Sequence, residues 1–276
     1  MEPRIRVKIT QGVADVRLSR PDKMNALDQA MFDALVQTGQ SLIDDRSLRA
    51  VVISGEGRAF CAGLDMGRFE SMAPPAAEGT SAAHQSIASR LGQRTHGLCN
   101  ASQYAVMVWR EIPVPVIAAV HGVAFGGGFQ VALGADIRIV APDTKMSVME
   151  IKWGLVPDMG GMELMRHLAR DDVIRELTYT GRVFSGTEAQ ALGFATQVCD
   201  DPYERAVAMA HEIAGKSPHA IRAAKRLMAV AQAGNPAAIL QAESDEQIAL
   251  MGSPNQVESV RANLEKRAPA FTDPQP

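Results

Sequence analysis

Hydrophobic and polar residues alternate in the first part of the chain. The segments Ile5–Ile9 and Val13–Leu18 each alternate apolar with polar side chains, and Gly12 lies between them. A period of two is typical of a strand that has one buried and one solvated face. The pattern therefore predicts an N-terminal β-hairpin.

Helical spacing follows the hairpin. Asp28 precedes a segment whose apolar residues recur at helical intervals, namely Met31, Leu35, Leu42 and Phe32, Val36, Gly39, Ile43. Aspartate is a favoured residue immediately before the first turn of a helix, so Asp28 is the expected N-cap. The next apolar run, Arg49–Gly55, predicts a buried strand that ends at a glycine.

Strand-like and helix-like segments alternate up to about residue 200. Pro115–Val120 and Asp136–Val140 predict further buried strands, with helical sequence between them. Beyond Asp200 the chain is predicted to be helical, with prolines in the first turns of four helices: Pro202, Pro218, Pro236 and Pro254. Alternation of strands and helices indicates the α/β class. We expect a core over residues 1–200 and a helical region over 201–276.

Composition narrows the possible functions. The 276 residues are 46% hydrophobic and carry a net charge of −3, which fits a globular chain and argues against nucleic-acid binding. No apolar run reaches the roughly 18 residues of a membrane span, and the N-terminus has no targeting pattern. Cys61, Cys99 and Cys199 fit reduced thiols. We therefore expect a cytoplasmic protein without membrane or nucleic-acid partners.

Two turns of small residues follow predicted strands. The first is Gly57–Asp65 and the second is His121–Gln130, which contains three consecutive glycines. Glycine and alanine leave backbone N–H groups accessible, and two such groups at one point form an oxyanion hole. The alternative is that the glycines only permit tight packing. Neither turn has the glycine spacing of a loop that binds a dinucleotide or a triphosphate. The chain also has no Gly-x-Ser-x-Gly, which is the commonest sequence signal of a serine hydrolase.

Taken together, the turns resemble those of the crotonase superfamily, the enoyl-CoA hydratase/isomerase family. The matching segments are Arg20-Pro21 with Asn25-Ala26-Leu27, Ala59–Asp65, Pro115–Gly128, Ala135–Arg138, Gly154–Gly161, Gly181–Gly193, and Glu265-Lys266-Arg267 with Phe271. The resemblance covers nearly the whole chain and is weakest from Met66 to Arg110, the stretch expected to shape acyl-group specificity. It implies a spiral of strand–strand–helix units followed by helices that pack between subunits of a homotrimer or hexamer.

The resemblance also implies the binding residues. The backbone N–H groups of Ala62 and Gly127 would hold the thioester oxygen of an acyl-CoA and stabilise an enolate. Coenzyme A would be part of the substrate, and no permanently bound cofactor is expected. The resemblance implies that coenzyme A contacts the following residues: Ala26, Leu27, Leu64, Asp65 and Lys266. For Lys266, a solvated helix end is an equally good interpretation.

Acid and base positions separate the activities of the family. Hydratases carry two glutamates; one matches Glu150, and the other falls on Gln130, which cannot exchange a proton. Gln130 could still line the substrate site and hold a water by hydrogen bonds. Isomerases of the family work with the single glutamate that matches Glu150. Its apolar neighbours in sequence favour a raised pKa, which suits a base that also returns its proton.

A second acid lies eight positions after Glu150. The dienoyl-CoA isomerase branch has an aspartate at this spacing, which matches Asp158, but it also has an aspartate where Gln130 stands. Helix N-capping is an equally good explanation of Asp158.

The leading hypothesis is isomerisation of an enoyl-CoA double bond with Glu150 as acid and base. The alternatives are hydration by Glu150 alone and a non-catalytic acyl-CoA binder that has lost one acid. An RNA-binding relative is disfavoured by the net charge of −3. The histidines show no ligand spacing, so no metal site is expected.

Overall fold

A six-stranded sheet lies at the centre of the computed structural model, which describes residues 3–68 and 91–274. The strands are β1 (Ile5–Thr10), β2 (Val13–Leu18), β3 (Ala50–Gly55), β4 (Val116–Val120), β5 (Val123–Phe125), β6 (Ile137–Val140), β7 (Lys145–Ser147) and β8 (Gln197–Val198). The sheet order is β1-β2-β3-β4-β6-β8, and β5 pairs with β7 in a separate two-stranded sheet. Residues 69–90, which belong to the stretch expected to set specificity, lie outside the described residues.

The predicted N-terminal hairpin is confirmed. β1 and β2 pair antiparallel from Ile5 opposite Leu18 to Thr10 opposite Val13, and all other strand pairs are parallel. Gly12 has φ +76°, which suits glycine because side chains disfavour this left-handed region. Most of β1 is exposed and β2 is largely buried, so the hairpin forms one edge of the sheet.

Ten helices lie wholly within the described ranges. They are α1 (Gln29–Ile43), α2 (Ala101–Glu111), α3 (Gly127–Gly134), α4 (Gly161–Met165), α5 (Asp171–Thr180), α6 (Gly186–Leu192), α7 (Pro202–Ala214), α8 (Pro218–Ala233), α9 (Pro236–Leu250) and α10 (Pro254–Glu265). Asp28 caps α1 as predicted, because its Oδ1 accepts the Met31 N–H at 2.8 Å. The four proline starts are confirmed. No helix here is both long and apolar enough to cross a bilayer.

The two faces of the sheet are covered differently. One face packs against α1, α2 and α3 in a large core that includes Leu35, Trp109 and Phe129. The other face packs against α7, where Ala206 and Ala210 join a smaller buried cluster. The helical region predicted after residue 200 is therefore present, but its first helix shares a core with the sheet instead of beginning a separate body.

Candidate active site

The two glycine turns lie side by side. The Cys61 N–H donates to the Val123 carbonyl oxygen at 3.0 Å, and the Phe125 N–H donates to the Cys61 carbonyl oxygen at 3.2 Å. Cys61 and Ala124 thereby form an isolated parallel bridge, which joins the first turn to β5. Hydrogen bonds between the backbones therefore bring the two predicted turns together.

Two adjacent glycines of the second turn have different roles. A Cβ on Gly128 would lie 2.2 Å from the Cys61 carbonyl oxygen, so glycine is required there for close backbone approach. Gly127 begins α3 and is half-buried, and its N–H donates to no acceptor in the described part of the chain. A Cβ on Gly63 would lie 3.7 Å from the Gly127 nitrogen. Gly127 thus retains an available donor next to the first turn, as predicted.

The N–H of Ala62, predicted as the other oxyanion donor, is engaged within the fold. It donates to the Met24 carbonyl oxygen at 2.9 Å. Met24 and Asn25 both have left-handed backbone conformations, with φ 49° and 54°, and Asn25 fixes this turn by donating to the Ala59 carbonyl oxygen at 2.8 Å. An N–H that already donates to a protein acceptor is not available to a ligand, so the assignment of Ala62 was wrong.

Leu64 supplies the available N–H of the first turn. The Leu27 N–H donates to the Gly63 carbonyl oxygen at 2.8 Å, and the Asp65 N–H donates to the Leu27 carbonyl oxygen at 3.2 Å. Peptide groups alternate in direction along an extended segment, so the Leu64 N–H points away from Leu27. Within residues 3–68 and 91–274 it donates to no acceptor. The direction of these peptides depends on pairing with a distant segment, which the local sequence does not show.

The residues expected to contact coenzyme A are mostly close together. Arg20 Nη1 donates to Asp65 Oδ2 at 2.6 Å and to the Ala26 carbonyl oxygen at 3.1 Å, and Leu27 bridges Leu64. Arg20 therefore joins the two segments predicted to bind one ligand.

Lys266 lies at a different place, the exposed C-terminal end of α10. Its backbone is left-handed, with φ 54°, and its N–H caps the helix. A role in binding phosphate stays a prediction.

Glu150 lies directly against the second turn. It begins a short 3-10 helix, Glu150–Trp153, soon after β7. A Cβ on Gly126 would lie 3.3 Å from Glu150 Oε1, so the carboxyl group lies next to the residue that precedes Gly127. Oε1 accepts a hydrogen bond from Gln130 Nε2 at 2.6 Å. Oε2 is buried and has no hydrogen-bond partner among the described residues.

The surroundings of Glu150 favour its protonated form. Burial raises the pKa of the carboxyl above its ordinary value, and the negative charge of Asp158 raises it further. The hydrogen bond from Gln130 opposes this effect without reversing it. A carboxyl group with a raised pKa can both remove a proton and return it near neutral pH.

Gln130 is held by the protein on both ends of its amide. The side chain is only 1% exposed, and its Oε1 accepts the N–H groups of Met159 and Gly161, each at 2.9 Å. Its Nε2 donates to Glu150. Gln130 therefore contacts Glu150 directly, and its role in lining the substrate site or holding a water stays a prediction.

Asp158 does not cap a helix. α4 begins at Gly161, its N-cap is Gly160, and no side chain bonds to the cap. Desolvation by the surrounding protein raises the pKa of Asp158, although its side chain is reachable by solvent, and the charge of Arg68 opposes this shift. Because Asp158 makes no bond to the first turn of α4, the capping interpretation is wrong. Asp158 lies close enough to Glu150 for its charge to raise the pKa of that carboxyl group.

Other reactive side chains do not contribute to this site. Burial raises the pKa of the Cys61 thiol to about 12, so it is protonated at neutral pH, and it donates to the Asn25 carbonyl oxygen. His121 Nε2 lies 2.9 Å from the Gly57 carbonyl oxygen and interacts with backbone. Among the residues that the structure describes, no three His, Cys, Asp or Glu side chains could hold a metal ion.

Comparisons with known proteins identify relatives of this chain in sequence and in structure. The chain is 33% identical over 222 residues to human enoyl-CoA hydratase domain-containing protein 2, covering 78% of this chain and 70% of the relative. It is 29% identical over 260 residues to the mitochondrial Delta(3,5)-Delta(2,4)-dienoyl-CoA isomerase of Mus musculus, covering 92% and 77%. The solved enoyl-CoA hydratase of Bacillus anthracis superposes with a TM-score of 0.85 at 26% identity, covering 97% and 98%.

A family description that covers almost the whole chain agrees with these similarities. Residues 8–274 match the family described as enoyl-CoA hydratase/isomerase. The matched range includes both glycine turns, Glu150 and Asp158. The chain has the crotonase fold and belongs to the enoyl-CoA hydratase/isomerase family.

Proposed function

We propose that this protein moves the double bond of an enoyl-CoA thioester by proton transfer through Glu150. The observation that carries the proposal is the buried, unpartnered Oε2 of Glu150, which belongs to a carboxyl group that lies against the turn before Gly127. A base with one oxygen not hydrogen-bonded, next to the turn that carries the available Gly127 N–H, is suited to removing a proton adjacent to a carbonyl group.

The proposed reaction needs no co-reactant. The N–H groups of Leu64 and Gly127 bind the thioester oxygen, and Glu150 removes a proton from C2 of a 3-enoyl chain. The C–H electrons form a C1–C2 double bond, and the thioester oxygen takes the negative charge. When this enolate collapses, C4 takes the proton back from Glu150 and the double bond moves to C2–C3. Each oxyanion donor contributes about 2.7–4 kcal/mol in comparable sites.

Coenzyme A enters this proposal as part of the substrate. Ala26 and Asp65 are joined through Arg20, and the segment of Ala26 and Leu27 pairs with the segment of Leu64 and Asp65. These contacts support a shared binding surface for the pantetheine and nucleotide parts of the thioester. Lys266 would reach the phosphates from the end of α10.

Two observations favour isomerisation over hydration. Gln130 stands where a second carboxylate would be needed to activate water, and the chain is 29% identical to a dienoyl-CoA isomerase. Hydration by Glu150 alone is the second candidate, because other relatives are named enoyl-CoA hydratases. Addition of water increases the mass of the product and isomerisation does not, so mass spectrometry separates the two.

The test combines a substrate panel with one substitution. Purified protein is incubated with 2-enoyl, 3-enoyl and dienoyl thioesters of coenzyme A, and products are identified by chromatography and mass. We expect isomerised product from the wild type and a fall in kcat of about 10³-fold in Glu150→Gln, since it cannot accept the proton. Binding of saturated hexanoyl-CoA should be unchanged.

The control for this substitution is Glu212→Gln, which changes an exposed glutamate on α7. It should have wild-type turnover. Unchanged turnover in Glu150→Gln would contradict the proposal. Binding of thioesters without any product would instead support the non-catalytic binder.

We also propose that the protein assembles from identical chains through α9 and α10. These helices expose large apolar side chains: Leu240, Ile248, Val257, Val260 and Leu264. Exposed apolar surface of this extent is typical of an interaction surface. A homotrimer or a hexamer would bury it.

A further inference from the structure

The amide of Gln130 has one possible orientation in this fold. Its Oε1 accepts N–H groups from Met159 and Gly161, and a backbone N–H cannot donate to an amide nitrogen. Reversing the amide would therefore leave two buried N–H groups without acceptors, which is costly. The amide nitrogen is consequently fixed toward Glu150.

This orientation makes the two carboxyl oxygens of Glu150 inequivalent. Oε1 accepts the Gln130 N–H at 2.6 Å, whereas Oε2 has no partner among the described residues. A hydrogen bond donated to Oε1 stabilises negative charge on that oxygen, and the carbonyl oxygen of a neutral carboxyl group accepts such a bond better than its hydroxyl oxygen does. The bond from Gln130 therefore favours a proton on Oε2 over one on Oε1.

We propose that Gln130 is a positioning residue that reserves Oε2 of Glu150 for proton transfer. The inference rests on the proposed function and deepens it, because it names the reacting oxygen and the group that selects it. The alternative is that Gln130 only anchors the 159–161 segment and has no influence on Glu150.

The same amide also links Glu150 to the second acid. Met159, whose N–H is bound by Gln130, directly follows Asp158 in the chain. A single side chain therefore holds the carboxyl group of Glu150 and the backbone that carries Asp158. Because both bonds share one rigid amide plane, Gln130 limits how far the two acids can move apart.

Gln130→Glu is the most informative substitution because it keeps the shape and the acceptor. One oxygen of the introduced carboxyl group can still accept from Met159 and Gly161, while the other faces Glu150 Oε1. When the introduced carboxyl group is protonated, its O–H replaces the amide donor, and when it ionises, the donor is lost and two negative charges face each other. We expect kcat near the wild-type value at low pH and a new alkaline limb in the pH profile, with KM nearly constant.

Gln130→Met removes the donor at every pH. We expect kcat to fall about 10²-fold because the base is no longer held in place. The acid limb of kcat/KM should move to higher pH, because the hydrogen bond from Gln130 holds the pKa of Glu150 down. Gln37→Glu, an exposed position on α1, controls for an added carboxylate and should behave as the wild type.

A spectroscopic titration separates this inference from the proposed function. Glutamate labelled with carbon-13 at the side-chain carboxyl reports the protonation of Glu150, and its signal is assigned by its absence in Glu150→Gln. We expect Gln130→Met to titrate at higher pH than the wild type, whether or not any thioester turns over. An unchanged titration, or a Gln130→Glu profile without the alkaline limb, would overturn the inference. If Gln130→Met titrates at higher pH than the wild type but the wild type isomerises no thioester, only the proposed function is refuted.

Discussion

At the scale of single residues, the acid that suits catalysis is unfavourable for stability. Burial raises the pKa of Glu150 above the ordinary value of 4.5. Between that value and the folded-state pKa, the folded protein binds more protons than the unfolded chain does. The free energy of unfolding therefore decreases as the pH rises through this window.

Glu150→Gln should consequently be more stable than the wild type at neutral pH. Its side-chain oxygen can still accept the hydrogen bond of Gln130, and no charge is buried. The difference should shrink as the pH falls through the window and disappear below the ordinary carboxyl pKa, where both states of the wild type are protonated. Urea unfolding at several pH values measures this, and Glu212→Gln is the control. A Glu150→Gln variant that is less stable at pH 7 would contradict the expectation.

Single residues also show the limit of prediction from sequence. Glu150 could be identified because its motif and apolar neighbours are local. The contact between Gln130 and Glu150 could not, because 20 positions separate them and the contact depends on how α3 and the 3-10 helix pack. The error at Ala62 has the same origin, since only the tertiary partner of each peptide decides whether Ala62 or Leu64 has the available N–H.

At the scale of elements, local signals predicted most boundaries correctly. Asp28 and the prolines at four helix starts act within one helical turn, so their effect does not depend on the rest of the fold. β5 and β7 were not predicted, and the sequence of β5 was interpreted as a turn. Each has three residues, and the pairing of Val123 with Lys145 joins segments that are too short to show a period of two.

The packing of α3 against the first turn gives a prediction for Gly128. In Gly128→Ala the new Cβ would lie 2.2 Å from the Cys61 carbonyl oxygen, so the backbone must move. We expect a loss of about 2 kcal/mol or more in the free energy of unfolding, as for other overpacked sites. Gly92→Ala is the matched control, because its Cβ would meet nothing within 4 Å. Equal stability of the two variants in chemical denaturation would show that the turns are not in close contact.

At the scale of the whole molecule, strand order places the site. β3 and β4 are parallel neighbours, so the segments that follow them leave the sheet at the same edge. These segments are the two glycine turns, and Glu150 reaches the same edge through β7, which pairs with β5. The sequence indicated the strands but not their order, since order depends on long-range pairing. The meeting of the two turns could therefore be inferred only from the family resemblance.

The outer surface of the C-terminal helices gives the prediction at the largest scale. Val257, Val260 and Leu264 recur at helical spacing on α10 and are 42%, 49% and 79% exposed. If these three side chains are buried between identical chains, light scattering should give a molar mass that is a multiple of 29.6 kDa for the wild type. Val260→Asp with Leu264→Asp should lower that mass, because burying two carboxylates is costly. Leu98→Asp, at an isolated position that is 94% exposed, should leave the assembly intact. A wild type that elutes as a single chain would contradict assembly through this face, as would a double variant of unchanged mass.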